Sequence, residues 1–425
     1  MKVLVIGGGG REHALVWALQ RSAQVTEVVS APGNGGIAQI ARCIPVDVNN
    51  LAAMVDIVAT EQPALTIVGP ELPLSLGLVD ELQRRKLRVF GPTQAAAMLE
   101  TSKAFAKQFM LRHDIPTAAH AICTTLDEVR EQLHRFSVPV VVKASGLAAG
   151  KGVVICQTHH QAESAAAQMF SGDLFGTQES EVVLEEFLTG EELSFFALCD
   201  GTHAIEIASA QDHKRVGEGD TGPNTGGMGA YSTDGIATPA MRQWLLRNVA
   251  QKVVDGMRSE GDEFRGILFI GIMMTPRGPM VLEFNTRFGD PETEAIVLRL
   301  ETDILDLFDA SIDGTANQLT IKLRPGASAC VIAASGGYPG KYASGKPITG
   351  ISEPITPDVV VFHAGTALRD GQLVTAGGRV LAVTAIAADL QAALDKAYAE
   401  LAKISFEGMQ YRRDIGHRAL TRTHA

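Results

Sequence analysis

The sequence predicts an α/β and α+β protein of several domains, led by a doubly wound parallel sheet. Three observations predict it. At 425 residues the chain exceeds the roughly 100 to 200 of a typical domain, so about three domains are expected. Residues 1–100 alternate short β-rich runs with helical stretches, and each run is closed by a Gly or Pro loop, as in a parallel sheet buried on both faces. Beyond the polar stretch 313–326, which holds Pro325-Gly326 and reads as a linker, strands precede one Ala- and Leu-rich helix, an α+β order. The expected domains are 1–100, 101–313 and a small α+β domain, 327–425.

Val3 to Ile6 runs into Gly7 to Gly10 and then a helix from Glu12 to Gln20. Val25 to Val29 ends in Ala31-Pro32-Gly33-Asn34-Gly35-Gly36, Leu65 to Val68 in Gly69-Pro70-Glu71, and Val89-Phe90 in Gly91-Pro92-Thr93. Ligands of such sheets sit beyond the carboxyl ends of the strands, where these loops lie. A helix over Thr101 to His113 follows. Val140 to Lys143, a Gly-rich turn and Gly152 to Ile155 read as strand, loop and strand, and Glu181 to Leu184 as another strand. Gly266 to Met274 and Pro279 to Asn285 flank Thr275-Pro276-Arg277-Gly278, a hairpin with strong turn residues. Ala327 to Ala334, Val359 to His363 and Arg379 to Thr384 read as strands, and Ala388 to Ile404 as a helix.

Composition narrows the function. Hydrophobic residues make up 46% and charged residues 20%, which excludes global disorder. With 37 Lys and Arg against 48 Asp and Glu, the net charge of −11 excludes nucleic acid as a general partner. The 43 glycines point to tight turns and close backbone approaches. The 5 cysteines are far apart and form no C-x-x-C pair, so they read as small apolar residues of a reducing compartment rather than as a zinc site or disulfides. No run approaches the roughly 20 apolar residues of a membrane span, and the N-terminal run is too short for a signal-peptide core. A cytoplasmic protein without a membrane partner is expected.

Several strings carry chemistry. Gly7-Gly8-Gly9-Gly10-Arg11-Glu12-His13 fails the dinucleotide fingerprint, because Glu12 stands where the third glycine belongs, but a helix N-terminus there offers N–H groups to a phosphate. Lys143 to Gly152 fails the P-loop spacing and suits instead a Gly/Ala hairpin lid folding over a triphosphate, with Lys143 and Lys151 at its sides. In Glu283-Phe284-Asn285-Thr286-Arg287 alternate residues share a strand face, setting two hard oxygen ligands for magnesium beside a guanidinium fork for phosphate. Phe288-Gly289-Asp290-Pro291-Glu292-Thr293-Glu294 adds a helix start with three carboxylates. Gln211 to Arg215 and Thr221 to Ala230 form a long polar loop of the kind that handles ligands. No H-E-x-x-H or G-x-S-x-G arrangement is present, so neither a zinc-protease site nor a serine nucleophile is indicated.

Taken together, Glu283-x-Asn285-x-Arg287, the hairpin after Lys143, and Glu185-Glu186-Phe187-Leu188 followed by Glu192 resemble the ATP-grasp superfamily. The strings Gly9-Gly10-Arg11-Glu12-His13-Ala14, Gly69-Pro70-Glu71, Gln211 to Arg215, Thr221 to Tyr231 and Arg287 to Glu292 resemble the glycinamide ribonucleotide synthetase family within it, over essentially the whole chain. The resemblance implies a central ATP-grasp domain with a mobile lid subdomain at about 120–190. It implies an ATP-dependent ligase that joins glycine to 5-phosphoribosylamine through glycyl phosphate, in de novo purine synthesis. Another ATP-grasp carboxylase or ligase, similar to biotin carboxylase, is the alternative.

Carried over by motif, the resemblance gives Glu283 and Asn285 to Mg2+ or Mn2+ and Arg287 to the transferring phosphoryl group. It gives Lys103 and Lys143 to the ATP phosphates beneath a lid containing Gly146, Gly150, Lys151 and Gly152. Glu185, Glu186, Phe187 and Leu188 meet adenine, and Glu192 the ribose hydroxyls. Gly8, Gly9, Gly10, Arg11 and Glu71 meet phosphoribosylamine. Asp212 and Lys214, Thr225, Gly226, Gly227, Met228 and Gly229, with Asp290 and Pro291, shape the glycine and amine side. A monomer is expected, with a dimer as the alternative. Three departures stand out: the family reads Asn where Gly8 stands and Asp where Ser145 stands, and ATP-grasp relatives often carry another acidic ligand on the strand before Glu283.

Overall fold

The computed structural model describes residues 1–147, 152–174, 178–351 and 357–422. Apolar runs with β-branched residues build the first sheet: β1 (Lys2–Gly7), β2 (Glu27–Pro32), β3 (Arg42–Cys43), β4 (Leu65–Val68) and β5 (Val89–Phe90), all parallel in the order β3-β2-β1-β4-β5. The order reverses beside β1, so the cleft outside the carboxyl ends opens at Gly7 to Arg11 and Gly69 to Glu71. The two-residue β3 is absent from the sequence reading, being too short for a periodic signal.

A second sheet, β6 (His120–Cys123), β7 (Val140–Ala144), β8 (Val153–Cys156) and β9 (Val182–Glu186), is antiparallel in the order β6-β9-β7-β8. Its inner face packs Val140, Val142, Val182 and Leu184 against the His159–Ser171 helix. This is the hairpin-bearing unit, and most of its expected lid loop, 148–151 with Gly150 and Lys151, lies outside the described residues.

β10 (Glu191–Asp200) and β11 (Ala204–Asp212) lead into a short ribbon of β12 (Arg215–Gly217) and β13 (Thr221–Asn224). β14 (Gly229–Thr233), β15 (Arg265–Thr275), β16 (Gly278–Asn285), β17 (Ala327–Ala334), β18 (Val359–His363), the ribbon β19 (Thr366–Arg369) with β20 (Gln372–Thr375), and β21 (Arg379–Ala387) follow. Eight of these strands form one sheet, β16-β15-β10-β11-β14-β17-β21-β18. That sheet runs through the boundary expected at 313–327: β14 pairs with β17 from Gly229↔Val331 to Thr233↔Ala327.

Two expectations about local structure change. The helix expected over Thr101 to His113 runs from Lys103 to Arg112: Ser102 is extended and its side chain accepts from Phe105 N at 3.1 Å as an N-cap, which parts it from the preceding helix, Gln94–Thr101. The long polar loop is largely built into sheets. Gln211 and Asp212 end β11 opposite Tyr231 and Ala230, and Thr225, His213 and Met228 are all buried. Its polar residues are spent on internal bonds: His213 N donates to Gly229 O at 2.9 Å, and Thr225 N to Lys214 O at 2.7 Å.

Candidate active site

A cavity of about 430 Å³ opens where the parallel sheet, the hairpin sheet and the large sheet meet. Its two ends differ chemically. At one end Met110, Val141, Val153, Ile155, Leu188 and Met273 make an apolar slot, with Phe187 exposed at its mouth. Such a slot between two sheets suits a flat aromatic base.

Three lysines stand at the inner edge of the slot. Lys103 and Lys107 are one turn apart on the Lys103–Arg112 helix, and Lys143 comes from β7. Lys103 Nζ donates to Gly146 O at 3.2 Å. Glu185, on β9, takes Lys107 Nζ at 3.0 Å on one oxygen and Lys143 Nζ at 2.8 Å on the other, and all three groups are buried. Burial pulls Lys107 down to about 8 even with Glu185 beside it. Burial likewise lowers Lys103, against the nearby Glu283. Clustered cations with too few internal partners are what a polyphosphate would complete. Ser145 Oγ accepts from Ala104 N at 3.2 Å, supporting the start of that helix, and Glu179 accepts from Gly146 N at 2.8 Å, so a carboxylate still sits at the base of the hairpin.

The opposite end is an ionic network. Arg287 lies 3.2 Å from Glu71 through Nε and 2.9 Å from Glu100 through Nη2, while Arg11 lies 4.0 Å from Glu71 and 2.5 Å from Glu12. Burial raises Glu71, but Arg287 and Arg11 outweigh it and hold the carboxylate at about 2. Burial pushes Glu100 above its ordinary value, Arg287 opposing. Arg379, from β21, reaches in to lie 3.1 Å from Asp290 and to donate to Gly226 O at 2.6 Å.

Between the two ends lies an acidic patch around Lys214, which is 3.1 Å from Asp212 and 4.0 Å from Glu192. Glu292, at the start of the Glu292–Arg299 helix, accepts from Ser194 Oγ at 3.1 Å. Burial and the neighbouring Asp212 raise Glu292 to about 7, and burial also raises Glu192. Burial opposes the charge on Lys214, but Asp212, Glu192, Glu283 and Glu292 together push it well above its ordinary value. An excess of carboxylates over one partly exposed cation invites a second cation, such as a substrate ammonium.

Glu283 and Asn285 face the cavity from β16, as the two-residue period requires. Asn285 Oδ1 accepts from Arg287 Nη2 at 3.3 Å. The residue paired with Glu283 on β15 is Gly271, so that strand supplies no carboxylate beside it. Among the described residues no three His, Cys, Asp or Glu side chains gather as a metal group. A hard ion that keeps water and phosphate oxygens in its shell fits two oxygen donors of this kind.

Family models of phosphoribosylglycinamide synthetase match the chain in three consecutive pieces: the N domain over residues 1–100, the ATP-grasp (A) domain over 101–293 and the C domain over 328–418. The chain is 49% identical over 426 residues to the phosphoribosylamine–glycine ligase of Xanthomonas campestris pv. campestris, covering 99% of each. It is 48% identical over 425 residues to that of Pseudomonas aeruginosa, again covering 99% of each. The chain belongs to the phosphoribosylglycinamide synthetase family. In structure it is similar to the family member from Thermotoga maritima, with a TM-score of 0.86 and 34% identity over 98% of this chain and 100% of that one. A biotin carboxylase from Campylobacter jejuni has a TM-score of 0.75 at 15% identity over 97% of this chain and 93% of that one, a likeness of fold alone.

Most of the residues expected to act in this family line the one cavity: Arg11, Glu71, Lys103, Lys143, Gly152, Glu185 to Leu188, Glu192, Asp212, Lys214, Thr225, Gly226, Glu283, Asn285, Arg287 and Asp290. Gly8, Gly9, Gly10, Gly146, Gly227, Met228, Gly229 and Pro291 are not among its lining residues. Gly8 lies against the Gly33 carbonyl, where a Cβ would come within 2.3 Å of the oxygen. Two N–H groups at the adjoining helix start are already taken by carboxylates: Gly9 N donates to Glu12 at 2.7 Å and Arg11 N to Asp290 at 3.3 Å. Negative charge at a helix N-terminus is favourable, and these two carboxylates supply it here. Gly227 packs on Pro291, Met228 is buried just before β14, and Gly229 opens that strand inside the large sheet.

Four charged cavity residues have no role in the sequence reading: Lys107, Glu100, Glu292 and Arg379. Lys107 had a usable signal, since it stands four residues after Lys103 and shares its helix face. Glu292 stood among the three carboxylates noted at the helix start. Glu100 and Arg379 had none, because their partners are distant in sequence.

Proposed function

We propose that this chain ligates glycine to 5-phosphoribosylamine at the expense of ATP, giving glycinamide ribonucleotide, ADP and phosphate in de novo purine synthesis. The observation that carries the reading is the order of groups along one cavity: apolar slot, lysines, acidic patch, arginines. Adenine fits the slot, and the triphosphate reaches Lys103 and Lys143. The slot-side backbone of Glu185 to Leu188 meets the base, and Glu192 the ribose. Gly146 and Gly152 stand at the two ends of the lid segment proposed to cover the phosphates. The ammonium of glycine fits beside Asp212 and Glu292, which leaves its carboxylate toward Arg287.

The glycine carboxylate oxygen attacks the γ-phosphorus, the bond to ADP breaks, and glycyl phosphate forms. A carboxylate is a poor acyl donor until its oxygen becomes part of a phosphate leaving group. The amine of phosphoribosylamine then attacks the acyl carbon, the carbon–oxygen bond breaks and phosphate leaves. No covalent nucleophile is required, only positioning and charge neutralisation. Arg287 neutralises the phosphoryl oxygens, and Arg11, Glu71 and Asp290 hold phosphoribosylamine at the parallel-sheet end, next to the loop of Thr225 to Gly229. Glu283 and Asn285 would hold Mg2+ or Mn2+, which supplies charge neutralisation at the phosphates when bound. No helix among the described residues is long and apolar enough to cross a membrane, and all five cysteines are free, which supports a cytoplasmic setting.

A phosphate-release assay tests the reading. Release from ATP should require glycine and phosphoribosylamine together; release driven by bicarbonate in their place would overturn it in favour of a carboxylase.

A further inference from the structure

Glu100 lies near the end of the Gln94–Thr101 helix, at the junction of the first two family domains, and is 187 residues from Arg287 in sequence. Its carboxylate is nonetheless fully committed to the strand-end segment that carries Arg287. One oxygen lies 2.9 Å from Arg287 Nη2. The other accepts from Thr286 N at 2.7 Å and from the Thr286 hydroxyl at 3.2 Å. Two consecutive residues are therefore gripped by one buried side chain, whose relative exposure is 6%.

The second carboxylate on Arg287 differs. Glu71 is 29% exposed and lies 3.2 Å from Arg287 Nε and 4.0 Å from Arg11, so its charge is divided between two guanidinium groups. Arg287 otherwise donates to Phe288 O at 3.0 Å and Asn285 Oδ1 at 3.3 Å, both within two residues of itself. Those local bonds turn with the strand end and cannot fix the guanidinium against the rest of the molecule. Glu100 is the buried anchor from another element that does. A free arginine side chain carries about 2 kcal/mol of rotamer entropy, and a partner that removes it beforehand favours transfer without touching the substrate.

We propose that Glu100 is the positioning residue for Arg287: it fixes the guanidinium and the Thr286 backbone in the orientation that phosphoryl and acyl transfer require. This rests on the role given to Arg287 above. The test is steady-state kinetics of Glu100→Gln, Glu100→Asp, Arg287→Lys and the Glu100→Gln/Arg287→Lys double variant, with thermal unfolding of each. Glu100→Gln should lower kcat by about 100-fold, the scale of a misplaced catalytic group, and leave KM for ATP within about twofold. Glu100→Asp, which keeps the charge, should recover part of that loss. In the Arg287→Lys background the same Glu100→Gln change should matter less than about threefold, since the group it positions is gone. Wild-type kcat in Glu100→Gln, or an equal loss in both backgrounds, overturns the inference. Wild-type kcat in Arg287→Lys overturns instead the role assigned to Arg287, and the two failures are told apart in one data set. If Glu100→Gln does not fold, Glu100→Asp decides alone: a kcat loss at unchanged KM for ATP supports the inference, and an unchanged kcat refutes it.

Discussion

Glu185 is the carboxylate between two buried lysines, and replacing it by Gln strands both. Lys107 and Lys143 approach its two oxygens at 3.0 Å and 2.8 Å. Lys107 is already depressed to about 8 by burial. Because this lies below the 10.5 of an ordinary lysine, folding opposes protonation: the associated stability is full above pH 10.5 and is lost as pH falls through about 8. The gap corresponds to about 3 kcal/mol at pH 7, at 1.36 kcal/mol per pH unit. Deleting Glu185 removes the charge that offsets this burial, and breaking a buried ion pair from one side costs about 3–5 kcal/mol. Glu185→Gln should therefore lose about 3–5 kcal/mol at pH 7 and less at pH 9, where Lys107 sheds its proton. Urea unfolding at both pH values should be run on Glu185→Gln, Lys107→Met and the double variant. The double variant should be more stable than Glu185→Gln, since one stranded cation has been removed. A double variant no more stable than the single, or a loss independent of pH, would refute the charge argument.

Three further outcomes are expected. Glu283→Gln should lower ligase kcat by about 100-fold or more, because a hard ligand at the phosphates is lost; near wild-type turnover would sink its assignment. His13, His213 and His363 are driven by burial to about 3, 4 and 4, so their folded values lie below the 6.5 of an ordinary histidine. The stability they contribute is full above pH 6.5 and falls with pH by about 1.4 kcal/mol per unit for each. Imidazole NMR at pH 5 should find all three neutral, and His13 Nδ1 still accepting from His363 N; titration near 6.5 would contradict their burial. Gly227→Ala places a side chain at φ +115° with its Cβ 2.5 Å from Pro291, so it should cost at least about 1–3 kcal/mol; an unchanged Tm would count against this packing.

Much of the architecture is local in origin. Leu65–Val68, Val89–Phe90, Ala327–Ala334 and Val359–His363 begin and end where the sequence predicts, because apolar β-branched runs closed by Gly, Pro or polar residues carry their own boundaries. The shared face of Glu283 and Asn285 follows equally from the period of a strand, with Arg287 just beyond its end. By contrast, Glu191–Asp200 and Ala204–Asp212 mix polar and apolar residues, and they become strands because β15 and β14 cover their edges. Thr221 to Ala230 looks like surface by composition and is partly interior for the same reason.

The sequence by itself determined the strand and hairpin framework, the cationic strings and the paired oxygen donors of Glu283 and Asn285, and through them the family. Only the tertiary structure decided which charges meet: Glu100 with Arg287, Arg379 with Asp290, Glu185 with Lys107, and the carboxylates seated at the Gly9–Gly10 turn. Local pattern reports what a residue prefers within a few neighbours. The pairing of buried charges depends on which distant segments the sheets bring together, and on the desolvation that makes each of those partners necessary.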